Sequence, residues 1–147
     1  MPDHDADAQR AWECTCSTAF TSDVLRKLDA YRAALFLIHL ARADARELRA
    51  RGMSRRLTDQ LLEAAGSVSG NLSEGYSRPT RADRLRFLSY ALGSGRECQS
   101  WYFTTADDLA AEVVECRLQL LARIRSLLLG LTRAARTRMP PGRELEP

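Results

Sequence analysis

The sequence predicts an all-α protein, an antiparallel up-down four-helix bundle. Four segments between residues 20 and 137 repeat their apolar residues at spacings of three and four. No run alternates with the period of two that a half-buried strand requires, and the connections between the four segments are short. The 147 residues, 45% apolar and 28% charged, suit one domain over residues 20–137, with a flexible leader over residues 1–19 and a flexible tail over residues 138–147.

The leader carries Pro2, three Asp and a Ser/Thr-rich patch without a sustained period. The first predicted helix starts near Phe20, with Thr21 and Ser22 as caps, and carries Val24, Leu28, Tyr31, Leu35 and Ile38 to about Arg49. Gly52 marks its end, and Arg46, Arg49 and Arg51 suit the negative end of its dipole. The second helix, after Ser54, shows Leu57, Leu61, Ala64, Ala65, Val68, Leu72 and Tyr76 on one side. Its small, polar end from Gly66 to Gly75 has low helix propensity, so tertiary packing must hold it helical.

Ser77, Arg78 and Pro79 break the chain, and Thr80 with Asp83 approximates a capping box at the start of the third helix. That helix carries Leu85, Leu88, Leu92, Gly95, Tyr102, Ala106 and Leu109. Gly93 and Gly95 are expected to face Gly66 and Gly70, letting helices two and three approach closely. The fourth helix, about Glu112 to Arg136, has the stripes Leu120, Ile124, Leu127, Leu131 and Val114, Leu118, Leu121, Leu128. Arg117, Arg123, Arg125, Arg133 and Arg136 remain for solvent or a partner. Phe36, Leu37, Leu40 and Leu129 exceed what one core-facing stripe needs, which points to a subunit interface or to a fourth helix buried more centrally.

Charge is blocky rather than strongly net basic. Residues 23–56 hold nine basic and four acidic side chains, and residues 118–143 hold six Arg and no acid, although the whole chain is only +3. Acidic blocks intervene, including Asp107, Asp108, Glu112 and Glu115. Of the 22 basic residues only Lys27 is Lys. A genome biased towards Arg codons is the plainer explanation, and phosphate binding by planar guanidinium groups the sharper one. No apolar run approaches the roughly 20 residues of a membrane span, and the acidic start lacks the features of a secretory signal. No membrane association and a cytoplasmic location are therefore expected.

The residues offer little chemistry. A di-iron site in a helical bundle needs Glu-x-x-His pairs, but His4 lies in the leader and His39 has Phe36 and Arg42 three positions to either side. His39 reads as a packing residue. Cys14 and Cys16 lack the second ligand pair of a zinc site, and Cys98 and Cys116 sit among apolar neighbours. No His and acid are placed to activate a nucleophile, and no phosphate-binding Gly-rich loop with Lys occurs. We therefore expect no enzyme, no metal and no cofactor. Asn71 with Glu74, and Ser94 with Glu97, are polar pairs on single helix faces. If those faces meet, they form a buried cluster that is structural rather than catalytic.

The segment Ser67-Val-Ser-Gly-Asn71-Leu-Ser-Glu74-Gly75, followed by Tyr76 and Arg78 and then by Phe87 to Ala91 and Gly93-Ser94-Gly-Arg-Glu97, resembles the bacterial four helix bundle proteins. These are also known as the 23S ribosomal RNA intervening-sequence proteins. Asn71, Glu74 and Gly75 match the family's first motif and Gly93, Ser94 and Glu97 its second, while Val68 and Leu72 stand for Ile and Ser73 for Ala. Leu57, Gln60, Leu61, Ala64 and Ala65 fit upstream, and the likeness covers about residues 24–135. The resemblance implies a ring-like homo-oligomer, usually a pentamer, without known enzymatic activity.

It also relates the chain, more distantly, to the accessory variability protein of diversity-generating retroelements, a basic pentamer that associates with a reverse transcriptase and nucleic acid. The functional expectation is thus a nonenzymatic oligomer associated with nucleic acid or acting as an adaptor, with Arg123, Arg125, Arg133 and Arg136 contacting an RNA or DNA backbone. The alternatives are a structural or protein-interaction bundle that never touches nucleic acid and a reverse-transcriptase accessory protein.

Overall fold

The computed structural model describes residues 4–137, which are helical with no strand. Two short helices, α1 (His4–Glu13) and α2 (Thr18–Thr21), and a 3₁₀ turn at Val24–Lys27 precede the long helix α3 (Asp29–Ala50). Then come α4 (Arg55–Tyr76), α5 (Arg81–Thr104), a 3₁₀ turn at Ala106–Asp108, and α6 (Ala111–Thr137). Helix α4 packs on α3 and α5, and α6 on α5 and α3. The tail expected over residues 138–147 lies outside the described residues.

Local chemistry sets the helix ends. The Asp23 carboxylate accepts the Leu25 N–H at 2.8 Å and holds the Val24–Lys27 turn, so α3 starts at Asp29 rather than near Phe20. Thr21 and Ser22, expected to cap that helix, instead close α2. Gly52, at φ 92°, ends α3 as expected: its N–H reaches Arg49 O at 3.0 Å and the Met53 N–H reaches Leu48 O at 2.9 Å. Ser54 caps α4 through the Leu57 N–H, and Thr80 caps α5 through the Asp83 N–H at 3.1 Å. Thr80 Oγ1 also donates to Asp83 Oδ2 at 2.7 Å, a variant of the capping box in which the acid meets the hydroxyl.

The core is built from Leu37 and Leu48 of α3, Leu61 and Val68 of α4, Tyr102 of α5, and Leu120, Ile124 and Leu128 of α6, all fully buried. Close helix approach comes from alanine. Ala33, Ala34, Ala41 and Ala45 line the buried side of α3, with Ala64 and Ala65 on α4 and Ala91 on α5. The expected glycine seam does not form: a Cβ on Gly70, Gly93 or Gly95 would meet no atom within 4 Å, and one on Gly66 would face Ile38 of α3 at 3.8 Å. Gly75 alone among these motif glycines is tight, since its Cβ would stand 2.7 Å from Phe87 Cβ. At the end of α4, where Gly75 sits against Phe87, the α4–α5 contact leaves no room for a side chain.

Residues 4–13, read from sequence as part of a flexible leader, form a helix packed on α3. The Trp12 ring stacks on His39 at 5.0 Å and meets Phe36 at 5.5 Å, and Gln9 is buried. Glu13 accepts from Arg32 Nε at 3.0 Å and Nη2 at 2.5 Å. Burial pushes the Glu13 carboxyl up, but bonds from Arg32 and Gln9 and the charges of Arg32 and Arg26 outweigh it and leave it below its ordinary value. This packing also accounts for part of the apolar excess of the first long helix. Phe36 and Leu37 are buried within the chain rather than left for a partner, whereas Leu129 of α6 stays exposed.

Gly75→Ala should destabilise the chain by about 1–3 kcal/mol, because neither Phe87 Cβ nor helix backbone can yield cheaply. Gly70→Ala, in open space, should raise stability by up to about 1 kcal/mol through helix propensity. Thermal melts of the two variants check the contrast, and equal shifts would refute it.

Candidate functional site

The most constrained polar group is Asp44, on α3 and 5% exposed. It lies on the stripe Leu37, Ala41, Asp44, Leu48, at a position that an apolar residue would ordinarily fill. Two other helices serve it. The Tyr102 hydroxyl of α5 donates to Asp44 Oδ2 at 2.6 Å, and Arg117 of α6 donates from Nε to Oδ2 at 2.8 Å and from Nη2 to Oδ1 at 3.0 Å. Burial, followed by the negative charge of Asp44, holds the Tyr102 phenol far above its ordinary pKa. Burial works against the Arg117 cation, and the bonds and charge of Asp44 more than offset it, leaving Arg117 raised. Arg117 was expected at solvent or a partner. It is drawn inward because it shares the apolar stripe Val114, Arg117, Leu121, Ile124, Leu128.

Close by in sequence, Cys98 of α5 is fully buried. Burial, with the charges of Asp44 and Glu97, pushes its thiol up to about 12, so it stays protonated and a poor nucleophile at neutral pH. Among the described residues no group of three or more His, Cys, Asp or Glu is placed to hold a metal ion. His39 is exposed, its ring packed on Trp12. Its pKa is lowered by burial, then by the charges of Arg42 and Arg46.

The expected cluster of Asn71, Glu74, Ser94 and Glu97 is only partly assembled. Asn71 Nδ2 donates to Ser67 O at 2.8 Å and to Ser94 Oγ at 3.5 Å, bridging α4 and α5 with both side chains half-buried. Glu74 and Glu97 are exposed, and Glu74 pairs with Arg78 along its own helix. The cluster opens because Glu74 and Glu97 fall on the solvent side of the α4–α5 contact, while Gly75 and Asn71 turn towards it. Gly93 is likewise exposed.

The four α6 arginines divide. Arg123 is half-buried and donates to Gln9 Oε1 of α1 at 3.2 Å. Arg125, Arg133 and Arg136 are exposed, and among the described residues no carboxylate lies within 4.0 Å of them.

Fold and site together define an all-helical protein whose buried polar groups tie helices to one another. Residues 26–128 match the 23S rRNA-intervening sequence protein family, and the chain belongs to that family. A similar solved structure is a Bacteroides thetaiotaomicron protein of unknown function from the S23 ribosomal protein family. It is 19% identical, with a TM-score of 0.67 over 71% of this chain and 98% of that one, a likeness of fold. No curated protein matches. Helix α1 lies outside the family match.

Asp44→Ala should cost about 3–5 kcal/mol, since it strands a buried guanidinium. Replacing Asp44, Tyr102 and Arg117 together by Leu, Phe and Met should recover most of that loss, as denaturant titration can show. The folded chain holds the Tyr102 proton more tightly than the unfolded chain. Its contribution is therefore full below the unfolded phenol pKa of about 10 and is lost as pH rises above it. Tyr102→Phe should flatten the alkaline limb of the stability profile.

Proposed function

We propose that this chain is a nonenzymatic homo-oligomer associated with nucleic acid, and that its four long helices form an antiparallel up-down bundle within each subunit. The supporting observation is the group Arg125, Arg133 and Arg136, exposed on a helix that carries no acid from residue 118 to 137 and without an ion-pair partner among the described residues. Guanidinium groups free of carboxylates contact backbone phosphates and release counterions from the nucleic acid. No aromatic is interleaved with these Arg, so the α6 contacts are to backbone and carry no sequence preference. Arg123, engaged by Gln9, contributes less.

Assembly into a ring, with a pentamer favoured by the family resemblance, repeats the α6 arginines and turns weak patches into a strong one. Exposed Leu129 and the half-buried Leu127 and Leu131 of α6 supply apolar surface for the subunit contact. A reverse transcriptase is a second candidate partner, by analogy with the retroelement accessory protein.

Light scattering at micromolar concentration should give five times the subunit mass of 16.5 kDa. One subunit's mass would refute the assembly. Binding to a structured RNA and to duplex DNA should weaken steeply with salt, and changing Arg125, Arg133 and Arg136 to Gln should reduce the duplex salt slope by up to about 2.7 per subunit. Absence of salt-sensitive binding near 50 mM salt, where such contacts should be strong, would leave the protein-interaction bundle as the reading.

A further inference from the structure

Two adjoining clefts lie along the contact between α5 and α6. The lining of the narrower one includes Leu92, Arg96 and Gln99 of α5 with Arg125 and Leu128 of α6. The wider one, of about 430 Å³, is lined by Arg96, Gln99, Ser100, Phe103 and Thr104 of α5 and by Leu118 of α6. Arg96 and Gln99 border both, so the two form one continuous groove, with Arg125 towards one end and Phe103 at the other. Helical spacing agrees with this placement. Arg96 and Phe103 stand two turns apart on one face of α5, as Leu118 and Arg125 do on α6.

The groups along this groove are uncommitted. Arg96 and Arg125 have no carboxylate within 4.0 Å among the described residues, and the Gln99 side-chain amide makes no hydrogen bond there. Glu97, Asp107 and Glu115, acids close to the groove in sequence, are exposed and line neither cleft. Phe103 is 76% exposed, more than any other large apolar side chain among the described residues. Its ring meets no other ring and no guanidinium there, in contrast to Phe87, whose ring is already occupied by Tyr90, Arg78 and Arg86. One groove thus holds two uncompensated cations, a free amide and an open aromatic face. A second copy of the chain would have to bring carboxylates to both Arg to fill it, because a buried guanidinium left unpaired is costly.

We infer that the α5–α6 groove binds single-stranded nucleic acid, with Arg96 and Arg125 on the phosphate backbone, an unpaired base stacked on Phe103 and the Gln99 amide bonded to a base edge. Bases inside a duplex hide their faces in the stack, so an aromatic platform selects unpaired strands. Every base has such a face, and stacking on it carries no strong sequence preference. The inference rests on the nucleic-acid reading above, which already includes Arg125, and narrows it to a strand form and a place on the fold.

Fluorescence anisotropy on the full chain tests it, with an oligouridine of about 12 nucleotides, the matching oligothymidine and a duplex of equal length as probes. Phe103→Ala should weaken both single strands by about 5- to 100-fold and leave the duplex unchanged, while Phe103→Trp retains binding. Arg96→Gln should lower the single-strand salt slope by about 0.7. Both side chains are exposed, so folding is preserved, and a thermal melt verifies it.

If Phe103→Ala binds single strands like the wild type while changing Arg125, Arg133 and Arg136 to Gln abolishes binding of every probe, the groove inference is overturned and the nucleic-acid reading stands. If the wild type binds no probe at about 50 mM salt, where phosphate contacts are strong, both fall. If Phe103→Ala lowers the assembled mass in light scattering, the ring covers a subunit face and the inference is likewise overturned.

Discussion

Asp44 is a carboxylate that three helices must keep satisfied. In the interior its charge is tolerable only because Tyr102 and Arg117 direct hydrogen bonds at both of its oxygens. Those donors come from α5 and α6, so a shift of either helix along its axis strands a charge. Leu and Ala contacts around the triad are non-directional by comparison and do not by themselves name one partner atom. Asp44 therefore fixes the relative register of α3, α5 and α6, and the packing of Leu37, Leu48 and Leu121 follows from it.

Helix α4 is positioned by different means. It touches the other helices through Leu61, Ala64, Ala65, Val68 and Leu72, and its polar link to α5 is the long Asn71 to Ser94 contact. Its sharpest constraint is steric, at Gly75 beneath Phe87. Charge sets the register of α3, α5 and α6, while α4 is tied to α3 by Arg49, which donates to Thr58 Oγ1 at 2.8 Å and to Asp59 Oδ1 at 2.6 Å, and to α5 by the missing Cβ of Gly75. The two devices act at different places along α5, Tyr102 near its C-terminal end and Phe87 near its start, so that helix is pinned at both ends. It needs to be, because few of its residues are fully buried.

The four long helices were legible because their apolar periods are sustained over many turns, and their ends because Gly52, Ser54 and Thr80 use strong local chemistry. The start of α3 was not, because Thr21 and Ser22 offer caps as good as the Asp23 turn that wins, and nothing local decides between them. Helix α1 was missed for a related reason. Three turns are too few to show a period, and its order derives from Trp12, Gln9 and Glu13 meeting residues far along the chain. The motif residues Asn71 and Gly75 were found, whereas the acids beside them point outwards, a matter of a fraction of a turn that spacing of three cannot resolve. The Asp44 triad left a trace that could have been read: a charged residue on an apolar stripe occurs at Asp44 and again, with opposite sign, at Arg117.

The stack of Trp12 on His39 makes α1 optically distinct. Only one other tryptophan, Trp101, occurs in the chain, so emission can be assigned by a single substitution. Burial and the charges of Arg42 and Arg46 keep the imidazole neutral down to lower pH than a free histidine, and a neutral ring quenches indole less than a protonated one. Light from Trp12 thus carries two signals, the docking of the first helix and the proton occupancy of the residue it rests on, and acid titration separates them without a label.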